Sequence, residues 1–231
     1  MLEELKKKVY EANLRLSNSG LVCLTWGNVS AIDRKTNLVV IKPSGVAYSE
    51  MKIEDMVVCN LNGEVVEGKY RPSVDLLTHI EIYKNFPKVN AVLHDHSTYA
   101  TSFAQAGKEI KAYGTTQADG FYGSIPLTRE LTLEEVEKDY TKNTGKVIIE
   151  RFKDLDYEAI PGVLVKNHGV FTWSTDLTRV VDNAITLEEC AKMAYLSESI
   201  NKDIKEIPQY LLDCHYKRKH GKNAYYGQKG K

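Results

Sequence analysis

The sequence has no net charge, since its 31 lysine and arginine residues balance 31 aspartate and glutamate residues. A chain without an excess of positive charge has no general field that attracts nucleic acid or an anionic membrane. We therefore expect neither nucleic acid nor membrane among its partners. An anionic substrate would have to be held by local groups.

Cysteines and long apolar runs are also scarce. The four cysteines are scattered without a C-x-x-C pair: Cys23, Cys59, Cys190 and Cys214. This pattern indicates reduced thiols. No uninterrupted apolar run approaches the length of a membrane span, and the first residues lack the apolar core of a signal peptide. The sequence therefore predicts a soluble, cytoplasmic protein.

The apolar residues that are present indicate helices and strands in one chain. With 231 residues, of which 42% are hydrophobic, we expect one globular domain over residues 1–231. Helical spacing predicts a first helix that starts at Leu2 and stops near Gly20. It also predicts a helix over Leu76 to Asn85 and a long one around Val180 to Ala194.

Turn and capping residues predict where several of these elements begin and end. The dipeptide Asn62-Gly63 separates two apolar runs and predicts a hairpin with a type I′ turn. Thr132 to Glu135 forms a capping-box pattern that opens a helix, and Gly145 is expected to close it. Strands are predicted at residues 38–41, 147–149, 162–165 and 170–173. The predicted fold class is α/β: a single domain in which helices cover a mainly antiparallel central β-sheet.

An H-x-H pair at a predicted strand end is the first sign of a metal site. His94 and His96 flank Asp95 directly after an apolar run. Because side chains alternate along a strand, both imidazoles project from one face and Asp95 points the other way. An isolated pair of this kind is more often two ordinary polar positions. A third histidine, His168, follows another apolar strand and favours the metal.

Carboxylate and further imidazole groups are available upstream. Asp75 completes a three-histidine and one-carboxylate set, which suits a Lewis-acidic ion such as zinc. His79 lies one helical turn from Asp75 and is an alternative fourth ligand.

The tail from Asp213 to Gln228 is basic and aromatic. Nucleic-acid binding is one interpretation, and a solvated or subunit-packing tail is another. The overall neutrality of the chain favours the second.

Several motifs together resemble the class II sugar-phosphate aldolase and epimerase family, most closely its pentulose-phosphate 4-epimerases. The resemblance extends along nearly the whole chain. It is carried by residues 24–30 (LTWGNVS), 41–46 (IKPSGV), 56–58 (MVV), 63–68 (GEVVEG), 94–97 (HDHS), 114–119 (GTTQAD), 167–169 (NHG), 218–221 (RKHG) and 224–228 (AYYGQ).

The resemblance implies one divalent metal ion per subunit, zinc with manganese or cobalt as options, bound by Asp75, His94, His96 and His168. It also implies a pentulose phosphate substrate and a homotetramer with active sites at subunit interfaces. The residues at substrate-binding positions are Asn28, Lys42, Ser44, Gly45, Ser73, Thr116, His215 and Arg218. Hydroxyl and backbone N–H donors that converge at turns suit a phosphate without requiring net charge.

The activity that the resemblance implies is interconversion of L-ribulose 5-phosphate and D-xylulose 5-phosphate. C4 of such a ketose carries no acidic hydrogen, so its inversion requires retro-aldol cleavage of the C3–C4 bond, rotation of the aldehyde and re-addition. Proton donors are then needed on both sides of the aldehyde. The matching residues are Asp119 and Tyr226, which by the resemblance reach the metal from a neighbouring subunit.

Two positions depart from the family pattern, and three alternatives stay open. Val74 stands where a second serine is expected, and Asp95 where a small neutral residue is expected, which bears on substrate identity more than on reaction type. An aldolase of the fuculose-phosphate type would be expected to carry glutamate in place of Asp75. The second alternative is a non-catalytic protein that is stabilised by its metal. The third is a metal-dependent hydrolase, which would not need Tyr226.

Overall fold

The computed structural model describes residues 2–221 and 224–225. The strands in this part of the chain are β1 (Asn28–Asp33), β2 (Leu38–Ile41), β3 (Val57–Asn60), β4 (Val65–Glu67), β5 (Ala91–Asp95), β6 (Gly162–Leu164) and β7 (Val170–Ser174). They form one sheet with the order β4-β3-β2-β1-β5-β7-β6, in which every neighbouring pair is antiparallel.

The helices are α1 (Glu3–Asn18), α2 (Leu76–Asn85), α3 (Thr98–Ala106), α4 (Thr115–Ala118), α5 (Leu133–Arg151), α6 (Leu177–Ile200) and α7 (Gln209–His220), with a 3-10 turn at Ile53–Asp55. The predicted α/β class, with helices over a mainly antiparallel sheet, is confirmed. None of the described helices combines the length and the apolar composition needed to cross a membrane.

Helices cover both faces of the sheet because its central strands are apolar on both sides. The face that carries Ile41 and Val92 packs on α2 and α5. The opposite face, with Val29 and Leu93, packs on α1 and the first turns of α6. Since side chains alternate along β5, His94 shares the α2 face with Val92. The sheet thus directs the first predicted metal ligand toward the helix that Asp75 precedes.

The β3–β4 hairpin forms where the sequence predicted it, but its turn is not type I′. The N–H of Gly63 donates to the carbonyl of Asn60 (3.0 Å), which centres the turn on residues 61 and 62. Within this loop only Gly63 has a positive φ, of 87°, whereas a type I′ turn requires it at both central residues. The Asn60 side chain accepts hydrogen bonds from the N–H groups of Asn62 (2.9 Å) and Glu64 (3.1 Å) and thereby stabilises the wider loop.

Two predictions about α5 are wrong. The helix begins at its predicted cap, Thr132, but it continues through Gly145 to Arg151. Residues 147–149 are therefore helical rather than a strand. Ile148 is fully buried in the core that α2 and α5 share. This tertiary packing outweighs the strand preference of three consecutive β-branched residues.

The basic tail begins with a helix that the sequence did not predict. α7 packs against α4, and neither α4 nor α3 was predicted. Residues 222–223 and 226–228 of the predicted tail, and residues 229–231 after it, lie outside the described residues.

We expect Gly145→Ala to destabilise the protein. A Cβ atom on Gly145 would lie 2.5 Å from Cβ of Glu81 and 3.2 Å from the carbonyl oxygen of Thr78. The resulting overlap should cost about 1–3 kcal/mol of unfolding free energy, more than the gain of about 1 kcal/mol in helix propensity. Urea unfolding measures this. In Gly114→Ala, where no atom lies within 4 Å of the new Cβ, the change should be small; equal losses in both variants would contradict close α2–α5 packing.

Candidate metal centre

The end of β5 brings His94 and His96 together. The Nε2 atoms of the two rings lie 3.1 Å apart. Nδ1 of His94 donates a hydrogen bond to the carbonyl of Val170 (2.8 Å), and Phe171, its partner across the β5–β7 pair, stacks on its ring at 4.3 Å. The hydrogen bond fixes the tautomer, so the Nε2 lone pair of His94 points toward His96.

A tight turn between β6 and β7 supplies His168. Its N–H donates to the carbonyl of Val165 (3.0 Å), and Asn167 before it has a positive φ of 62°. Gly169 passes so close to β5 that a Cβ atom there would lie 2.7 Å from the carbonyl oxygen of Asp95. The turn therefore requires glycine, and it places the ring of His168 4.8 Å from that of His94.

The three histidines form a donor set that fits a metal ion. One ring nitrogen from each of His94, His96 and His168 can be chosen so that all lie within 4.8 Å of one another. Burial, reinforced by the neighbouring His94, lowers the pKa of His96 to about 4 and that of His168 to about 3. Both rings are therefore neutral at physiological pH. Imidazole nitrogens that converge within this distance suit a divalent cation such as zinc.

Asp75 lies beside this cluster but is not one of its three members. Its Oδ2 accepts hydrogen bonds from the Asn28 amide (2.8 Å) and from the Ser73 hydroxyl (3.3 Å). Burial opposes its ionisation, but His94, His79 and the Asn28 hydrogen bond outweigh that effect and lower the pKa of Asp75. An ionised carboxylate next to three imidazoles is available to a cation.

His79, the alternative ligand, is held by a buried hydrogen-bond chain. Its Nδ1 lies 2.7 Å from the hydroxyl of Ser30, and the same hydroxyl lies 2.7 Å from that of Tyr83. The side chains of this Ser30–His79–Tyr83 chain are buried, and burial lowers the pKa of His79 to about 3. The chain joins α2 to β1.

Two loops next to Asp75 bring together the predicted phosphate-binding residues. The N–H of Ser44 donates to the carbonyl of Arg71, and the N–H of Ser73 donates to the carbonyl of Lys42, both at 2.9 Å. Gly45 follows with a positive φ of 70°. Ser44, Gly45 and Ser73 therefore lie on adjoining turns, and Asn28 reaches the same region through Asp75.

Lys42 is buried beneath these loops. Its amino group donates to the carbonyls of Val46 (2.9 Å) and Pro43 (3.3 Å) and lies 4.8 Å from the centre of the Tyr48 ring. Burial lowers its pKa to about 8. Lys42 thus stabilises the loop of Ser44 and Gly45 and places a positive charge under it.

A sequence model of the family described as Class II Aldolase and Adducin N-terminal domain matches residues 7–195. The chain belongs to this class II aldolase family. An L-fuculose 1-phosphate aldolase of known structure is 26% identical, with a TM-score of 0.79 over 93% of this chain and 95% of that one. An L-fuculose 1-phosphate aldolase from Glaciozyma antarctica PI12 is 22% identical, with a TM-score of 0.77 over 94% and 81% of the two chains.

A third solved structure has the same fold. The Escherichia coli protein YgbL, described as a candidate aldolase, epimerase or decarboxylase, is 19% identical, with a TM-score of 0.73 over 91% of this chain and 96% of that one. At this identity the likeness shows a shared fold. Class II aldolases use a divalent metal, and the histidine cluster of this family member provides the place for one.

The predicted catalytic residue Asp119 lies apart from the histidine cluster within this class II aldolase chain. Asp119 lines a surface cavity with Trp173 and Ser174, whereas His94 is bonded to Val170 at the other end of β7. Four residues of an extended strand span about 13 Å. The structure therefore does not bring Asp119 to the metal ligands of its own chain.

Asp119 is instead held by side chains of α7. Its Oδ1 lies 3.1 Å from Nδ1 of His215, and its Oδ2 accepts from Arg218 at 2.8 Å, with Lys219 at 3.4 Å. Burial opposes ionisation here, but the hydrogen bonds from Arg218 and His215 outweigh it and lower the pKa of Asp119. His215 and Arg218 thus orient and keep ionised the residue that the sequence predicted to transfer a proton.

The remaining predicted residues fall into two groups. Thr116 is exposed on α4, one turn before Asp119, and lines a second surface cavity with Tyr113 and Met193. Tyr226 lies outside the described residues.

The two departures from the family pattern occupy different surroundings. Val74 is 69% exposed beside Asp75. Asp95 is fully buried, its Oδ1 accepts the N–H of Ser97 (2.8 Å), and burial raises its pKa to about 6. Ser97 is the residue before α3, so this hydrogen bond from Ser97 to Asp95 stabilises the start of that helix.

One aromatic residue near the metal centre was missed. The ring of Tyr140 on α5 lies 5.8 Å from that of His168. In the sequence Tyr140 continues the helical spacing of Leu133 and Val136, and nothing distinguished it from an apolar helix face.

The burial of Lys42 predicts a pH dependence of stability. An unfolded lysine holds its proton up to about pH 10.4, whereas Lys42 in the folded protein loses it near pH 8. Between these values the unfolded chain binds more protons, so raising the pH should stabilise the native state through this residue. We expect urea unfolding of the metal-free protein between pH 7.5 and 10.5 to show wild type gaining stability relative to Lys42→Met. A constant difference would mean that Lys42 is not desolvated.

Proposed function

We propose that the protein is a metal-dependent L-ribulose-5-phosphate 4-epimerase. The observation that carries the proposal is the short carboxylate of Asp75, fixed by Asn28 and Ser73 beside the three histidines. The family resemblance associates aspartate here with epimerases and glutamate with aldolases. The second observation in support is Asp119, ionised and oriented by α7, which is available as a separate proton-transfer group.

The reaction requires a temporary break of the C3–C4 bond, because C4 carries no acidic hydrogen. When bound, zinc, or manganese or cobalt in its place, would supply Lewis-acid stabilisation of the negative charge that cleavage leaves on the dihydroxyacetone fragment. His94, His96, His168 and Asp75 would hold the metal ion.

The protein's own groups hold the substrate and move its protons. Asn28, Ser44, Gly45 and Ser73 surround the proposed phosphate position, with the charge of Lys42 beneath it. This geometry would keep glycolaldehyde phosphate bound while its aldehyde group rotates. Asp119 and Tyr226 would exchange protons with the aldehyde oxygen on its two faces, and Thr116 would contact the substrate.

The separation of Asp119 from the histidines supports a site shared between subunits. A second copy would bring its Asp119, with His215 and Arg218, to the histidines of the first. A closed ring satisfies this requirement for every subunit, because each then presents both surfaces. We propose a homotetramer of this kind.

An aldolase that releases its products is the second candidate. It is favoured by the relative at 26% identity, an L-fuculose 1-phosphate aldolase that covers nearly the full length of both chains.

The two candidates differ in what leaves the enzyme. Zinc-loaded protein is incubated with L-ribulose 5-phosphate, and D-xylulose 5-phosphate and free glycolaldehyde phosphate are followed together. We expect the epimer without free aldehyde, abolished in His96→Ala and lowered about 100-fold or more in Tyr226→Phe. Tyr225→Phe is the matched neighbouring control. Released aldehyde would indicate the aldolase, and no turnover of either kind would refute the proposed function.

The shared site predicts complementation between inactive variants. His96→Ala lacks a metal ligand and Asp119→Asn lacks the proton-transfer group, so each homotetramer should be inactive. Random 1:1 tetramers, made by co-expression with two tags, should regain about one quarter of wild-type activity. A site is complete only where a subunit with intact His96 meets a neighbour with intact Asp119, which is the case at about one interface in four. A mixture no more active than its components would show that both residues act within one chain.

A further inference from the structure

A break within α5 determines where Tyr140 lies. Asp139 leaves the helical conformation, with φ −166° and ψ 79°. Its side chain accepts the N–H of Lys142 (3.3 Å) and so caps the second half of the helix. The amide of Asn143 donates to the carbonyl of Glu135 (2.8 Å) across the break. These bonds satisfy groups that a continuous helix would have paired, and Tyr140 begins the new helical segment.

The second half of α5 is fixed to α2. The hydroxyl of Thr78 donates to the carbonyl of Thr141 (2.6 Å). One turn later, Gly145 allows the helix to approach Glu81 closely. Because α2 starts directly after Asp75, the same contacts that join the helices fix Tyr140 relative to that carboxylate.

The outcome is a tyrosine beside the metal centre. Its ring lies 5.8 Å from that of His168 and inclined at 42° to it, and the residue remains 41% exposed. A tyrosine hydroxyl is a hydrogen-bond donor at neutral pH.

We propose that Tyr140 is a substrate-contacting residue whose hydroxyl donates a hydrogen bond to an oxygen of the substrate fragment held at the metal centre. The inference rests on the proposed function for the identity of that fragment, a dihydroxyacetone unit with negative charge on its oxygens. A neutral donor meets such a charge at less desolvation cost than a cation would. Tyr140 contacts His168 of its own chain, whereas Asp119 lies apart from the histidines of its own chain.

The test uses binding rather than turnover. Glycolohydroxamate presents two adjacent oxygens, as the dihydroxyacetone fragment does, and its affinity for the zinc-loaded protein is measured by calorimetry. We expect Tyr140→Phe to bind it about three- to tenfold more weakly than wild type, the loss of one hydrogen bond. Tyr195→Phe, a half-exposed tyrosine on α6, should bind it as wild type does.

A parallel zinc titration separates substrate contact from support of the metal. We expect zinc affinity to be equal in wild type and Tyr140→Phe. Unchanged hydroxamate binding in Tyr140→Phe, or a matching loss of zinc affinity, would overturn the inference. A wild-type protein that binds the hydroxamate without converting L-ribulose 5-phosphate would refute the proposed function and leave the role of Tyr140 measurable.

Discussion

The pairing of β5 with β7 is the constraint on which the metal centre depends. It sets His94 opposite Phe171, gives Nδ1 of His94 the carbonyl of Val170 as its acceptor, and brings the His168 turn over the end of β5. A slip of one residue would turn His94 to the opposite face and separate it from His168. The close approach of Gly169 to the carbonyl of Asp95 resists such a slip, because it fits one alignment of the two strands.

Strand β7 also separates the three histidines from Asp119. The histidines gather where β7 begins, while Asp119 and α7 lie where it ends. One chain therefore holds the three histidines and Asp119 at opposite ends of β7. In the proposed epimerase, activity then depends on assembly, because the histidines and Asp119 of one chain do not meet.

The sequence predicted most clearly those features that depend on local chemistry. The H-x-H pair, the cap at Thr132 and the bounds of α2 follow from side-chain alternation, hydrogen-bonding residues and helical spacing, and the structure agrees with each. Asn62-Gly63 located a hairpin but not its turn, because the Asn60 side chain competes for the same N–H groups.

Features that depend on distant packing were not predicted. Gly145 resembles a helix end in the sequence, yet it is needed inside α5 for contact with Glu81. Residues 147–149 have strand propensity and are helical because α2 covers them. Tyr140 could not be distinguished from an apolar position, since its proximity to His168 arises from the break at Asp139.

The buried Ser30–His79–Tyr83 chain has a consequence for the apoprotein. Ser30 contacts two side chains one turn apart on α2, so neither rotation nor translation of that helix can preserve both contacts. Helix α2, which follows Asp75 in the chain, is therefore held in place by these contacts without a metal ion. Metal uptake should then resemble binding to a rigid chelator, with little change in heat capacity or in amide hydrogen exchange along α2. In a zinc finger, by contrast, binding and folding are one event.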